Sequence, residues 1–361
     1  MLAKYKSTLE SLISVMGKEH SLYRKKTNYI CDCCGGDTSK GVIIKDEIWK
    51  EIVGKFESRI FEDPKDNLLC INCIEKFLGR KITLDDLKPG IPLNLETMYN
   101  NKKFIMKKDL LLSTAIGDMM GVPYEFYRKA EEIVIPCSGY DYSDDTVCTF
   151  GVAKALIKGT DISKTLREVC RKEPGRGYGG MFKQWIADSQ IGPYNSWGNG
   201  APMRVSSVAL MAGSEEECLE VAKKTAEITH NHPEGIKGAQ AIALAIYLCL
   251  EGASKEDIRV KVLDHFYPDY KYKTYQEIPH GFDVSCQGSV PPVLVSFLES
   301  TSFLDCLKKV YALHGDTDTQ GAMIAPIGYA YYGEMPGDLL EIAKSTLPEW
   351  MLEINEEYNK L

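Results

Sequence analysis

No stretch of this sequence is apolar for long enough to cross a membrane as a helix. The longest apolar-rich run, Ala239 to Leu250, is well short of the roughly 20 residues that a span requires. Met1 to Met16 lacks a basic head followed by a long apolar core, so no secretory leader is read there. An excess of basic charge is missing as well. Residues 1–100 carry 16 Lys and Arg against 15 Asp and Glu, and residues 101–361 carry 27 against 36, for a formal net charge of −8. So acidic a main domain is poorly suited to coating nucleic acid, although it leaves room for one anionic ligand in a local pocket. Alternating extended segments are scarce after residue 104, which argues against a sheet there. A disulfide pattern is lacking too: of 12 cysteines, four form two C-x-x-C pairs and the rest are scattered, mostly singly among apolar residues. Reduced thiols and a metal site in a cytoplasmic protein, with no membrane partner, are the expectation.

Two regions differ in character. Residues 1–100 hold the paired knuckles Cys31-x-x-Cys34, followed by Gly35-Gly36, and Cys70-x-x-Cys73, which leads into Ile74 to Leu78. Val42 to Ile44 reads as a short strand and Ile48 to Val53 as a helical turn. That combination fits a small α+β zinc-ribbon or treble-clef-like module in which Cys31, Cys34, Cys70 and Cys73 hold one structural Zn²⁺. The adjacent Cys33 leaves open which thiols bind. A site of this kind can contribute ~10 kcal/mol or more to a module too small for a large core. Leu84 to Tyr99, with Pro89-Gly90-Ile91-Pro92, reads as a linker. Residues 101–361 follow a three-and-four apolar spacing and are expected to form an all-α, many-helix domain. Helices are read over Asp109 to Met120, stopped by Gly121 and Pro123, and over Val147–Ile157, Leu166–Cys170, Val205–Met211 and Cys218–Thr229. Four more are read over Ala239–Leu250, Val293–Leu298, Phe303–Leu313 and Gly321–Tyr332.

The chemistry concentrates at Gly315-Asp316-Thr317-Asp318-Thr319. Carboxylates two positions apart do not share a face of a regular helix, but at a tight turn opening one they can converge. Convergent carboxylates repel unless a cation lies between them, and hard oxygen ligands suit Mg²⁺, Mn²⁺ or Ca²⁺. The plainer alternative is an N-cap with a second, exposed Asp. A second cluster, Ser143-Asp144-Asp145-Thr146, repeats the pattern before the run Val147 to Ala155. Facing each other, the two clusters could hold a pair of cations that activate a bridging water. Glu125, set among aromatic residues, is either a metal-facing carboxylate or base, or a surface Glu beside a Gly-Pro turn. The loop Ser196-Trp197-Gly198-Asn199-Gly200 before Met203 can cradle a phosphate, with Trp197 offering an aromatic face, or it is an ordinary turn. His230 and His232 are open to ligand contact, a structural role or a transition metal.

Taken in order, these motifs resemble the ADP-ribosylglycohydrolase family, the dinitrogenase reductase-activating glycohydrolases among them. Gly117-Asp118-x-x-Gly121-x-Pro123-x-Glu125-Phe126, Ser143-Asp144-Asp145-Thr146, Gly198-Asn199-Gly200-Ala201-x-Met203-Arg204, Thr229-His230 and Gly315-Asp316-Thr317-Asp318-Thr319 carry the likeness. Ser285-Cys286-Gln287-Gly288-Ser289-Val290-Pro291 also looks like many bacterial members, and the likeness covers about residues 105–340. It implies an all-α fold with two Mg²⁺ or Mn²⁺ ions, held by Ser143 or Thr146, Asp144 and Asp145 and, opposite, by Asp316, Asp318 and Thr319. It further implies that Asp144, Asp145 or Glu125 serves as catalytic carboxylate. Glu125 would stand at the mouth of the site, Ser196 to Gly200 would cradle the diphosphate, and Met203 and His230 would lie near the substrate. The expected activity is hydrolysis of the bond between ADP-ribose and a modified protein side chain such as arginine. Nucleic-acid or small-molecule adducts, and a non-catalytic binder, are the alternatives. His314 departs from the glycine common there. The cysteine module is not part of the usual family architecture; its half from Cys70 to Arg80 resembles small zinc-binding proteins of bacteria and phages, and it is the one part that could meet nucleic acid.

The module yields the first prediction. Purified protein should contain one Zn²⁺ per chain by elemental analysis, and the double substitution Cys31→Ser, Cys70→Ser should abolish it. Stoichiometric zinc in that variant would reject the four-cysteine site.

Overall fold

In the computed structural model, which describes residues 108–125 and 132–360, the chain is a succession of helices. α1 spans Leu110–Glu125, α2 Asp144–Lys158, α3 Ile162–Lys172, α4 Gly180–Ala187, α5 Val208–Met211, α6 Glu215–Glu227 and α7 Pro233–Leu250. α8 is Lys255–Ile258, α9 Asp264–Phe266, α10 Cys286–Leu298, α11 Phe303–Tyr311, α12 Thr317–Tyr332, α13 Gly337–Thr346 and α14 Glu349–Tyr358. Among the described residues the sole β-type pairing is an isolated bridge between Gly198 and Ser285, so the expected all-α character of this region holds. Cys31, Cys34, Cys70 and Cys73 lie outside the described residues. No helix among the described residues is long and apolar enough to cross a membrane.

Local chemistry explains most helix starts. Ser143, Asp161, Ser214, Ser285 and Ser302 each accept a backbone N–H from the first turn of α2, α3, α6, α10 and α11. Gly159 and Gly333 end α2 and α12 in the left-handed conformation. Position in the molecule follows from the distribution of apolar residues. α1 and α12 are apolar or small on all sides, and both are buried over nearly their whole length. They form the centre, with α7, α10 and α11 packed around α12 and α2 against α1.

At the crossing of α1 and α12 the backbones touch. A Cβ added to Gly117 would overlap the carbonyl of Gly321, and one added to Gly321 would overlap that of Gly117. One turn on, a Cβ at Gly121 would overlap the Thr317 carbonyl. Glycine at 117, 121 and 321 is therefore a requirement of this approach.

Several expected boundaries differ: α3, α7 and α10 begin earlier than expected, at Ile162, Pro233 and Cys286, and two further differences concern α1 and α5. α1 does not stop at Gly121; it continues through Pro123 to Glu125. Pro123 has no N–H to give the ladder, yet tertiary bonds hold the segment helical. The Thr317 hydroxyl donates to the Gly121 carbonyl at 2.8 Å and the Tyr311 hydroxyl to the Gly117 carbonyl at 2.7 Å. Tyr124 stacks on Tyr311 and donates to the Val134 carbonyl at 2.7 Å. The helix expected over Val205–Met211 is instead a 3₁₀ turn at Pro202–Arg204 followed by the short α5. There the Ser207 carbonyl accepts from the Tyr358 hydroxyl at 3.0 Å, and Ser206 pairs with Thr114 at 2.9 Å. α4, α13 and α14 were not legible as periodic runs.

Because backbone meets backbone at the crossing, Gly321→Ala should lower stability by about 1–3 kcal/mol. Urea unfolding measures this, with Gly337→Ala, where an added Cβ meets nothing, as the control. Equal midpoints for the two variants would refute the close approach.

Candidate functional site

The carboxylates of α1, α2 and α12 meet beside that crossing. One oxygen from each of Asp118, Asp145 and Asp318 lies within 4.8 Å of the others, and so does one from each of Glu125, Asp316 and Asp318. Asp318 belongs to both groups. Asp316 and Asp318 are each 7% exposed, and Asp316 makes no side-chain cap bond. The reading of this turn as a simple N-cap with an exposed second Asp is thereby set aside.

Each acidic side chain is positioned by its own element. Asp118, in the middle of α1, accepts at Oδ2 from the Ser143 N–H (2.9 Å), the Thr146 N–H (3.1 Å) and the Thr146 hydroxyl. It thus fastens the start of α2 to α1. Asp145 accepts at Oδ2 from the hydroxyls of Ser143 (3.0 Å) and Thr319 (3.2 Å), which links α2 to α12. Asp318 accepts from the Thr319 N–H at 2.9 Å. His314, at φ 54, provides the left-handed turn before Gly315 that a glycine would give more readily. Asp144 stands half-buried beside the two groups of three and belongs to neither; its N–H donates to the Arg176 carbonyl at 2.7 Å.

The electrostatics are those of crowded anions. Burial, then the Asp318 charge, raises Asp118 to about 7, Glu125 to about 7 and Asp144 to about 8. The same causes push Asp145 and Asp316 well above the ordinary carboxylate range. Asp118 Oδ1 and Asp145 Oδ1 are buried without any hydrogen-bond partner. Orphaned buried acceptors within reach of further carboxylates are what a divalent cation satisfies, and oxygen-only donors fit Mg²⁺ or Mn²⁺. The residues present therefore fit such ions.

The Gly-rich loop is joined to this centre through Asn199. Its Nδ2 donates to Asp316 Oδ2 at 2.8 Å and to the Ser289 hydroxyl at 3.1 Å. The loop is otherwise folded inward: the Gly198 N–H goes to Ser196 Oγ at 3.1 Å and the Asn199 N–H to the Val284 carbonyl at 2.9 Å. Those two amides are spent within the protein and are not free to bind a phosphate. Trp197 is 53% exposed and its ring lies 5.5 Å from that of His232. The side chain of Met203 is buried, and its carbonyl accepts from the Thr149 hydroxyl at 3.3 Å. His232 caps α7, its Nδ1 accepting the Glu234 N–H at 3.1 Å, which gives it a structural role. His230 borders Gly198 and Gly200; burial, then the Arg204 charge, holds it well below the usual imidazole range.

Asp118 is the functional residue that sequence reasoning passed over. The signal was available: Asp118 and Glu125 are seven residues apart, two turns on one helix face, once α1 is carried through Pro123.

Comparison with known proteins agrees. The ADP-ribosylglycohydrolase profile matches residues 108–360. The chain is 26% identical to the ADP-ribosylhydrolase ARH3 of Gallus gallus over 258 residues, covering 54% of this chain and 70% of that protein. It is 25% identical to the ADP-ribosyl-(dinitrogen reductase) glycohydrolase of Rhodospirillum rubrum over 256 residues, covering 62% of this chain and 84% of that protein. In fold it resembles a chain of an ADP-ribosylglycohydrolase-related protein complex, with a TM-score of 0.60 at 22% identity over 72% of this chain and 97% of the other.

The raised carboxylates predict a pH dependence. Metal-free, Asp118 and Glu125 keep protons to about pH 7 and Asp144 to about 8, whereas the unfolded chain releases them near 4. The folded state binds more protons between those values, so its stability falls as pH rises from about 4 to about 8. Thermal melts in EDTA across this range should show that slope, and added Mg²⁺ or Mn²⁺ should raise the midpoint most at the alkaline end. Melting that rises with pH in EDTA would mean that the carboxylates do not crowd one another.

Proposed function

The chain belongs to the ADP-ribosylglycohydrolase family, and from that premise we propose that it hydrolyses the bond between ADP-ribose and a protein side chain, arginine foremost, with two Mg²⁺ or Mn²⁺ ions. Hydrolysis of glycosidic bonds is the chemistry of the family, and this chain is an enzyme of that class. The observation that carries the finer reading is the pair of acidic groups sharing Asp318, with orphaned oxygens on Asp118 and Asp145. Ser143, Asp144 and Asp145 at the start of α2 and Asp316, Asp318 and Thr319 at the start of α12 are the proposed ligand set, and Asp118 meets Ser143, Asp145 and Asp318 among them.

Bound there, divalent cations would supply Lewis acidity toward water and toward a vicinal diol. The chain's own groups would do the rest. Glu125 and Asp144, both half-buried and titrating near neutral pH in the metal-free protein, suit transfer of protons between the water and the leaving nitrogen. The oxygen of water bonds to C1″ as the bond from C1″ to the guanidino nitrogen breaks. The ionised form of one of Glu125 and Asp144 would take a proton from the water, and the protonated form of the other would give one to the departing nitrogen. Asn199 would hold the Gly-rich loop at a fixed distance from Asp316 while Gly200 and His230 face the diphosphate. An acidic surround favours a cationic acceptor such as arginine over an anionic one.

Protein carrying ADP-ribose on arginine should release it in the presence of Mg²⁺ or Mn²⁺, and EDTA should stop the release. Asp318→Ala should slow it at least about 100-fold. Parallel substrates linked through serine or through nucleic acid test the acceptor: faster release from either would displace arginine. Tight binding of ADP-ribose without release from any substrate would leave a non-catalytic binder.

A further inference from the structure

Arg204 is 1% exposed, and no carboxylate is among its hydrogen-bond partners. Its Nη2 donates instead to the Thr225 carbonyl at 3.0 Å and to Thr229 Oγ1 at 2.8 Å. A guanidinium has donors only, so Thr229 Oγ1 is the acceptor in that bond. The hydroxyl then has one proton to place, and its other partner is His230 Nδ1 at 2.7 Å. Oγ1 keeps a second lone pair, but an Nδ1–H donating to it would leave the hydroxyl proton without this acceptor, so the arrangement favours Nδ1 as the acceptor and the ring's own hydrogen on Nε2.

The Nε2 edge faces the Gly-rich loop. A Cβ on Gly200 would sit 3.0 Å from Nε2, so glycine there keeps this edge clear, and Gly198 borders it at ordinary contact distance. The backbone is pinned from behind. A Cβ on Gly235 would lie 2.9 Å from the His230 carbonyl, and the His230 N–H donates to the Ala226 carbonyl at 2.8 Å.

We infer that Arg204 and Thr229 are positioning residues that hold His230 as the Nε2–H tautomer, making it a fixed neutral donor to an oxygen of the ADP-ribose diphosphate. The inference rests on the reading of residues 196–200 as the ADP-ribose cradle. The opposite tautomer would turn a nitrogen lone pair toward an anionic oxygen and repel it. A donor hydrogen bond to a charged group is worth ~1.4 kcal/mol or more, about tenfold in affinity.

The test uses the full chain labelled with ¹⁵N histidine. Long-range ¹H–¹⁵N correlation should show His230 with a protonated Nε2 and an unprotonated Nδ1. Thr229→Val, which keeps the shape and removes the hydroxyl, should lose that fixed pattern. It should also weaken ADP-ribose binding by calorimetry about tenfold and raise KM correspondingly, with kcat changed less. Thr229→Ser should restore both. A wild-type His230 protonated on Nδ1, or a Thr229→Val variant with the wild-type spectrum and affinity, would overturn the inference. The spectrum and the ADP-ribose affinity do not depend on turnover, so absence of hydrolysis would count against the proposed reaction and leave the tautomer decided on its own.

Discussion

Repulsion among buried carboxylates is the constraint to which this fold answers. Asp118, Asp145, Asp316 and Asp318 come from three helix segments, all are buried, and the first three each lie close to Asp318. Each uncompensated charge in such a place costs on the order of several kcal/mol. The protein answers in part with protons and in part with hydrogen bonds. Asp118 Oδ2 takes three donors from α2, and Asp145 Oδ2 takes hydroxyls from Ser143 and Thr319. The opposite oxygens of both remain unmatched, and the proposed cations would meet them there.

The surrounding framework is apolar and tight, which keeps the acidic groups from relaxing apart. α1 and α12 are buried on every side, so their polar residues cannot swing to water. The loop from Ser196 to Gly200 is tied to the centre by Asn199 and to α10 by the bridge between Gly198 and Ser285. Ligand-facing backbone and acidic centre are thereby parts of one hydrogen-bonded unit.

Much of this was legible in the chain itself because the acidic motifs open helices. Ser143-Asp144-Asp145-Thr146 and Asp316-Thr317-Asp318-Thr319 announce themselves by residue type and by the apolar runs that follow, and an all-α domain follows from period alone. Asp118 was less legible because Gly121 and Pro123 are local stop signals, overridden here by bonds from Thr317 and Tyr311 that lie almost two hundred residues away. Tertiary hydrogen bonds of that separation leave no trace in local periodicity. The same applies to Val205–Met211, where Tyr358 takes a carbonyl that a regular helix would use. The capping role of His232 was hidden for a different reason: its function depends on which ring nitrogen meets the Glu234 amide.

The contact between Gly117 and Gly321 has a consequence for ion size. Asp118 follows one of these glycines directly and Asp318 precedes the other by three residues, so the backbones that carry the two short carboxylate side chains are held apart by abutting peptide groups. Peptide planes in van der Waals contact behave as the closed jaws of a caliper. A cation seated as proposed would meet an opening that cannot widen, a geometry that favours small ions with short, rigid coordination over the longer and more variable bonds of calcium.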